Sequence, residues 1–307
     1  MLRFAVKRAF GAIPTLLLII AITFFMMRLA PGGPFDKERK VTAEVEANLR
    51  RAYHLDEPLW MQFGRYLGKL LQGDFGPSFQ YKDFSVNELI WNGFDVSWRL
   101  GLSAMILAFC IGVTIGSIAA LRQNSGVDYA TMGLAMTGIA VPNFVVAPIL
   151  TLVFGLYLSW LPVGGWGDGD LQHAILPITA LALPQIAVIA RLTRGSMIEV
   201  LRSNFVRTAR AKGLPERIAV SRHAVKAAML PVVSYLGPWT ANIITGSVII
   251  EQIFGIPGTG RYFVTAALNR DYTLVLGVVI FYGAIIIVLN LLVDLIYGWL
   301  DPKVRYD

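Results

Sequence analysis

Apolar residues in this chain gather into long runs separated by polar stretches. A helix needs roughly 20 apolar residues to cross a bilayer core, and six runs reach that length: about 9–30, 98–121, 130–160, 172–193, 229–250 and 275–299. The third holds Pro142 and Pro148, so its pattern reads either as one kinked span or as two short ones. The first follows Arg3, Lys7 and Arg8, as the core of a secretory leader does. A cut after Ala30 would put Arg28 at the third position upstream, where a small residue is wanted. A signal anchor that stays in place is the better reading.

Between the first two runs the pattern becomes amphipathic. Leu59, Phe63, Leu67, Leu70 and Leu71 recur at helical spacing. Asp56 is placed to cap this helix, with Glu57 and Pro58 in its first turn and Gly73 as its stop. Trp60 and Tyr66 suit the membrane interface. Such a helix either packs on the outer ends of the spans or docks a soluble partner. Inside the spans, Gly112 and Gly116 form G-x-x-x-G with Ala120 one turn on, a spacing that lets helices approach closely. Pro177 and Pro184 predict freed carbonyls in the fourth span.

Composition agrees with a membrane-embedded chain. Of its 307 residues 55% are hydrophobic and only 15% charged, too little charge to cover a soluble surface. The single cysteine, Cys110, allows no intrachain disulfide. The net charge of +7 is concentrated, with nine basic residues in 191–228 against Glu199 and Glu216, whereas 31–97 has ten acidic and eight basic residues. That asymmetry argues against a nucleic-acid partner and places the N-terminus and the 191–228 loop in the cytoplasm. An even number of spans must then separate them, so the third run crosses once. The expected architecture is an all-α polytopic membrane protein of six transmembrane helices with both termini cytoplasmic. It divides into an N-terminal span (1–30), a large external segment (31–97), five further helices (98–299) and a short tail (300–307).

Candidate chemistry is sparse. "GIPGTGRY", from Gly255 to Tyr262, approaches the nucleotide-binding pattern G-x-x-x-x-G-K-[ST] but ends in Arg261 and Tyr262. It lacks the Lys that would meet the terminal phosphates and the hydroxyl that would hold Mg²⁺. It also falls in an outer loop, so a Gly/Pro turn is the reading and the chain is not an ATPase. Asp294 is close enough to the cytoplasmic end of the last span to reach the interface, which fits ion pairing better than a proton relay. His54, His173 and His223 have no partners at ligand spacing, so no metal site is expected. No nucleophile–base arrangement is present either. Asn242, Thr245 and Asn290 are uncharged polar residues able to line a path or bond between helices, with Asn242 and Thr245 the path candidates. A secondary transporter would call for a midplane carboxylate or an internal repeat, and a membrane enzyme for a catalytic constellation.

The basic loop carries the most specific pattern. In "NFVRTARAKGLPERIAVSRHAVKAAMLP" one helix ends near Lys212, Gly213 breaks it, and Pro215 with Glu216 starts a second. Such a helix–break–helix suits a groove on a partner or an anionic lipid surface equally. Residues Thr208 to Gly213 with Leu230 and Pro231 resemble the coupling loop of ATP-binding-cassette importer permeases, in the form used by the peptide/nickel branch. Only Ala209 remains of the Glu-Ala-Ala with which that loop generally begins. "RLAPGGPFD", "HLDEPLWMQFGRYLGKLLQGDFGPS" and "DLIYGWLDPKVR" are similar to segments of the same branch, most like its oligopeptide permeases. So is an outer-loop motif of Glu251, Phe254, Pro257, Gly258, Gly260, Arg270, Asp271 and Tyr272.

The resemblance implies a type I importer fold in a bacterial inner membrane, with 31–97 periplasmic and the coupling loop at about 195–228. Implied partners are a second homologous permease, two cytoplasmic subunits that bind ATP and Mg²⁺, a periplasmic peptide-binding protein and a peptide substrate. This chain would hold no cofactor itself. Coupling to the ATPases would fall to Gly213–Ser221, naming Leu214, Pro215, Glu216, Arg217 and Ser221, with Ala209, Gly213 and Leu214 setting the angle. Dipeptide, murein-peptide and nickel permeases remain alternatives within the branch.

Overall fold

The computed structural model describes residues 2–29, 51, 54–81 and 83–300. Among these the chain is helical, and the only extended pairing is an isolated bridge between Pro77 and Ser85. In chain order the helices are α1 Leu2–Leu29, α2 Leu59–Leu71, α3 Val86–Leu121, α4 Gly126–Ala140, α5 Asn143–Leu150, α6 Leu171–Leu201 and α7 Asn204–Ala211. There follow α8 Glu216–Ile218, α9 Val225–Ala228, α10 Leu230–Gly246, α11 Val248–Phe254, α12 Thr259–Asn269 and α13 Tyr272–Leu300. Wider π-helical turns, Thr151–Tyr157 and Ala219–Ala224, extend α5 and link α8 to α9.

Among the described residues four helical stretches are long and apolar enough to cross a membrane: Phe10–Leu29, Val86–Leu121, Leu171–Leu201 and Tyr272–Val293. The third apolar run is broken into two arms, Gly126–Ala140 and Asn143–Tyr157, which meet at 101°. Val141 is extended there (φ −97°, ψ 117°), as Pro142 demands of the residue before it. The fifth run, expected at 229–250, is interrupted at Ser247. Its first arm, α10, has 17 residues, a rise of about 26 Å against a core of about 30 Å. Of the six expected runs, four are therefore continuous, one is sharply bent and one is interrupted. The side chain of Asp294 lies outside the described residues.

The chain divides into two units. One comprises 6–97 and 257–287, with a core of Val86, Leu89, Ile90, Ala266, Leu274, Val275 and Val278. Here α2 lays Phe63 against Phe24 and Phe25 of α1, with ring centroids 5.2 and 5.4 Å apart, while Leu71 of the same expected stripe stays exposed. The start of α2 departs from expectation. Pro58, not Asp56, occupies the cap position, and its carbonyl accepts from the Met61 and Gln62 amides at 2.9 and 3.1 Å. Gln62 reaches back instead, its side-chain amide donating to the carbonyls of Leu55 and Glu57 at 3.1 and 2.7 Å. Gly73 ends α2 as expected: it is left-handed (φ +75°), and its N–H donates to the Leu70 carbonyl at 3.0 Å. A reciprocal cap opens α3. Ser85 Oγ accepts from the Glu88 amide at 3.2 Å while the Glu88 carboxylate accepts from the Ser85 amide at 2.9 Å.

The other unit comprises 1–5, 98–256 and 288–307. The G-x-x-x-G of α3 is its packing face toward α6. A Cβ on Gly116 would stand 2.4 Å from the Ala190 carbonyl oxygen, and one on Gly112 2.8 Å from the Ile189 side chain. Hydrogen at those positions permits backbone contact between the two helices. Helix α6 continues unbroken through Pro177 and Pro184. Beneath it, Met197, Val206, Ala224 and Ala228 bury one another with Ala120 and join the basic loop to the helices.

Candidate functional site

The basic loop folds as a hinge between two short helices. In α7, Val206 and Ala209 point into the core while Arg207, Thr208 and Arg210 stay exposed. The helix closes with the Gly213 amide donating to the Arg210 carbonyl at 2.9 Å and the Leu214 amide to that of Ala209 at 3.3 Å. Gly213 is left-handed (φ +81°), and a Cβ there would meet nothing within 4 Å. The requirement for glycine is thus one of backbone conformation, not of space. The Pro215 carbonyl then accepts from Ile218 and Ala219 at 2.9 and 3.0 Å, launching α8.

A forked pair spans the break. Arg210 Nε and Nη2 donate to Glu216 Oε2 and Oε1 at 2.9 and 2.6 Å. These bonds hold the Glu216 carboxyl below its ordinary range and raise the Arg210 guanidinium, so the clamp is fully charged at neutral pH. Both side chains are solvated, and the pair fixes an angle more than it adds stability. The expected coupling residues therefore separate into two groups. Ala209 is buried and Leu214 half-buried, whereas Gly213, Pro215, Glu216, Arg217 and Ser221 form an exposed ridge with Ile218.

The outer-loop residues form joints between helices. Gly255 ends α11 in a left-handed conformation (φ +67°), and the Ile256 amide donates to the Glu251 carbonyl at 2.8 Å. Glu251 is fully buried and accepts from Ser247 Oγ at 2.5 Å, within the unit that holds both. "GIPGTGRY" is thus a turn between helices, as its glycines and proline indicate. Gly258 caps α12, Gly260 is buried within its first turn, and the Thr259 amide donates to Ser97 Oγ at 2.9 Å.

Arg270 takes the left-handed position (φ +57°) that ends α12, and Asp271 caps α13. Asp271 is 1% exposed. One carboxylate oxygen accepts from the Leu274 amide at 3.1 Å and Thr273 Oγ1 at 3.0 Å. The other accepts from Ser78 Oγ and from the Gln80 amide at 3.1 Å. Asp271→Ala is expected to cost about 2–3 kcal/mol by stranding these donors. Hydrogen exchange should show the loss as faster exchange at Gln80 and Tyr81, with Asp271→Asn affected less.

Over most of its length the chain carries a recognisable signature. Residues 112–306 match the family described as "Binding-protein-dependent transport system inner membrane component", and residues 1–85 match its N-terminal counterpart. The chain belongs to this family. It is 57% identical over 306 residues to the oligopeptide transport system permease protein OppB of Escherichia coli K12, covering 100% of both chains. The Haemophilus influenzae OppB is 53% identical, again over 100% of both chains. The dipeptide permease DppB of Bacillus subtilis is 44% identical over 99% of this chain and 98% of its own. Among solved structures, a chain of the MetNI methionine ABC transporter in inward-facing form shares the fold. Its TM-score is 0.57 at 14% identity, covering 69% of this chain and 96% of that one.

Two polar contacts in this transport component have no local sequence signal. Asp128, 1% exposed, receives Arg194 in a fork of 2.6 and 2.7 Å and also accepts from the Asn124 amide at 2.9 Å. The pair locks the first turn of α4 to α6. Tyr235 donates its hydroxyl to Gln185 Oε1 at 2.6 Å, joining α10 to α6. The two path candidates share α10 but differ in availability. Asn242 is exposed, whereas the Thr245 hydroxyl is turned back onto the Ala241 carbonyl at 2.8 Å.

Proposed function

We propose that this chain is the membrane permease of an ATP-binding-cassette importer that carries oligopeptides across a bacterial inner membrane. The observation that carries the substrate class is the 57% identity to OppB along the whole of both chains, against 44% to the dipeptide permease DppB. In this reading six spans have both ends in the cytoplasm, 31–97 is periplasmic, and the hinge at Gly213 presents Pro215–Ser221 to an ATPase subunit. Two such ATPases bind ATP and Mg²⁺, and their closure moves the ridge as a rigid body. The chain itself performs no hydrolysis. A second homologous permease completes the path, with Asn242 on its wall, and a periplasmic peptide-binding protein delivers the cargo.

Movement is transmitted only if the ridge contacts the two ATPase states differently. A clamped, exposed ridge on a buried base fits that requirement, because Val206 and Ala209 tie its inner end to the core.

The test is purification of the tagged chain in mild detergent from its host, followed by mass spectrometry. Recovery of two P-loop ATPases and a second six-span permease is the expected result. Recovery of the chain alone, or only with itself, would overturn the assembly. Loading a co-purified binding protein with peptides of increasing length then separates oligopeptide from dipeptide cargo.

A further inference from the structure

The unit built from 6–97 and 257–287 contains a cavity of about 220 Å³. Its walls are Phe24, Tyr66, Phe75 and Leu276, and its cations are Arg28, Arg65 and Lys69. Arg65 is already committed: its guanidinium donates to Glu57 at 2.7 Å, and His54 meets the same carboxylate at 3.0 Å. Arg28 and Lys69 have no carboxylate partner among the described residues. The Arg28 guanidinium lies 5.5 Å from the centre of the Phe24 ring, and its Nε is buried without a hydrogen-bond partner. The Tyr66 hydroxyl is buried and unpartnered too. Burial pushes that phenol above its ordinary range, so it keeps its proton to donate. Two buried donors without an acceptor beside a positively charged cavity are costly unless something accepts from them.

The space accommodates a volume equal to about seven waters, below the roughly 300–1,000 Å³ of pockets that enclose whole small molecules. It suits the headgroup of a larger molecule whose remainder stays outside. That remainder has a place to go. On the α1 face that carries the cavity-lining Phe24 and Arg28, two to three turns back, Leu17 is exposed, an apolar position along which an acyl chain can lie.

We propose that this cavity binds the phosphate headgroup of an anionic phospholipid, with Arg28, Lys69 and Tyr66 donating to the phosphate oxygens and the acyl chains lying along α1. A phosphate accepts from all three donors at once, and Arg28, the last cation of the span, holds it at the membrane boundary. The proposal rests on α1 lying in the membrane but not on the cargo of the importer.

Native mass spectrometry of the full chain with its co-purifying partners, after delipidation, tests it. Phosphatidylglycerol is expected to be retained about tenfold over phosphatidylcholine of the same acyl chains, equivalent to about 1.4 kcal/mol. Arg28→Gln with Lys69→Gln should abolish that preference. Tyr66→Phe provides a variant whose folding is not at issue, since the hydroxyl it removes bonds nothing in the protein, and it should lower the preference severalfold. Equal retention of the two lipids, or an unchanged preference in the double glutamine variant, would overturn the proposal. Displacement of the lipid by an equal concentration of inorganic phosphate would overturn it in favour of a free-anion site. Displacement by a short peptide would overturn it in favour of a peptide carboxylate. None of these readouts depends on uptake, so failure here leaves the importer reading standing.

Discussion

Gly213→Pro is expected to leave the chain in the membrane and abolish peptide uptake. Proline holds φ near −65°, whereas Gly213 sits at +81°, so the two cannot share a backbone conformation. Proline also removes the amide that donates to Arg210 at 2.9 Å. The hinge must then reorient, and Pro215–Ser221 with it, while the spans keep their own packing. Gly213→Ala isolates the conformational part. A Cβ meets nothing there, so alanine carries only the left-handed penalty of about 1–2 kcal/mol and should reduce uptake partially. The measurement is labelled-peptide uptake into vesicles alongside ATP hydrolysis by the reconstituted complex. Loss of uptake with hydrolysis retained is the expected signature of a loosened joint, and normal uptake in the proline variant would remove the hinge from the mechanism.

Arg194→Met should produce a loss of stability as large as that of Asp271→Ala. It leaves the Asp128 carboxylate buried at 1% exposure without its countercharge. Removing one partner of a buried pair typically costs about 3–5 kcal/mol, and because Arg194 is itself 29% exposed we expect about 2–3 kcal/mol. A lowered midpoint of thermal unfolding in detergent is the readout. Asp128→Asn combined with Arg194→Met removes the stranded charge and should recover part of the loss. A single variant as stable as the parent would show that α4 does not depend on this tie to α6.

The turn at the centre of the basic loop was legible in the sequence, for a local reason. Gly213 announces a left-handed stop between a basic helix and Pro215-Glu216, and the structure has that stop at that residue. Gly73 reads the same way, because a positive φ is a requirement of one residue and its immediate neighbours, whereas Gly255 was read only as part of a Gly/Pro turn. The Gly112–Gly116 spacing, which also occurs by chance in apolar helices, pointed to a packing face, and both glycines do lie against α6. Asp271 was marked only by resemblance. Its work is to gather donors from Ser78, 193 positions away, together with its own helix start, and nothing near Asp271 in the chain records that.

The sequence by itself determined how much of the chain is apolar helix, where the basic loop lies and where several of its turns fall. Those properties follow from composition, from a 3.6-residue period and from the conformational limits of single residues. Only the tertiary structure decided how the long runs are broken. Hydropathy measures the length of a run and not its direction: α6 passes unbroken through Pro177 and Pro184, while the run at Pro142 turns by 101°. Both runs contain proline, so the presence of proline does not by itself distinguish them. Tertiary structure alone also decided the fork between Asp128 and Arg194, 66 positions apart, and the cavity around Arg28 and Tyr66. Their energetics come from residues distant in sequence meeting where water is excluded, and only the folded chain brings them together.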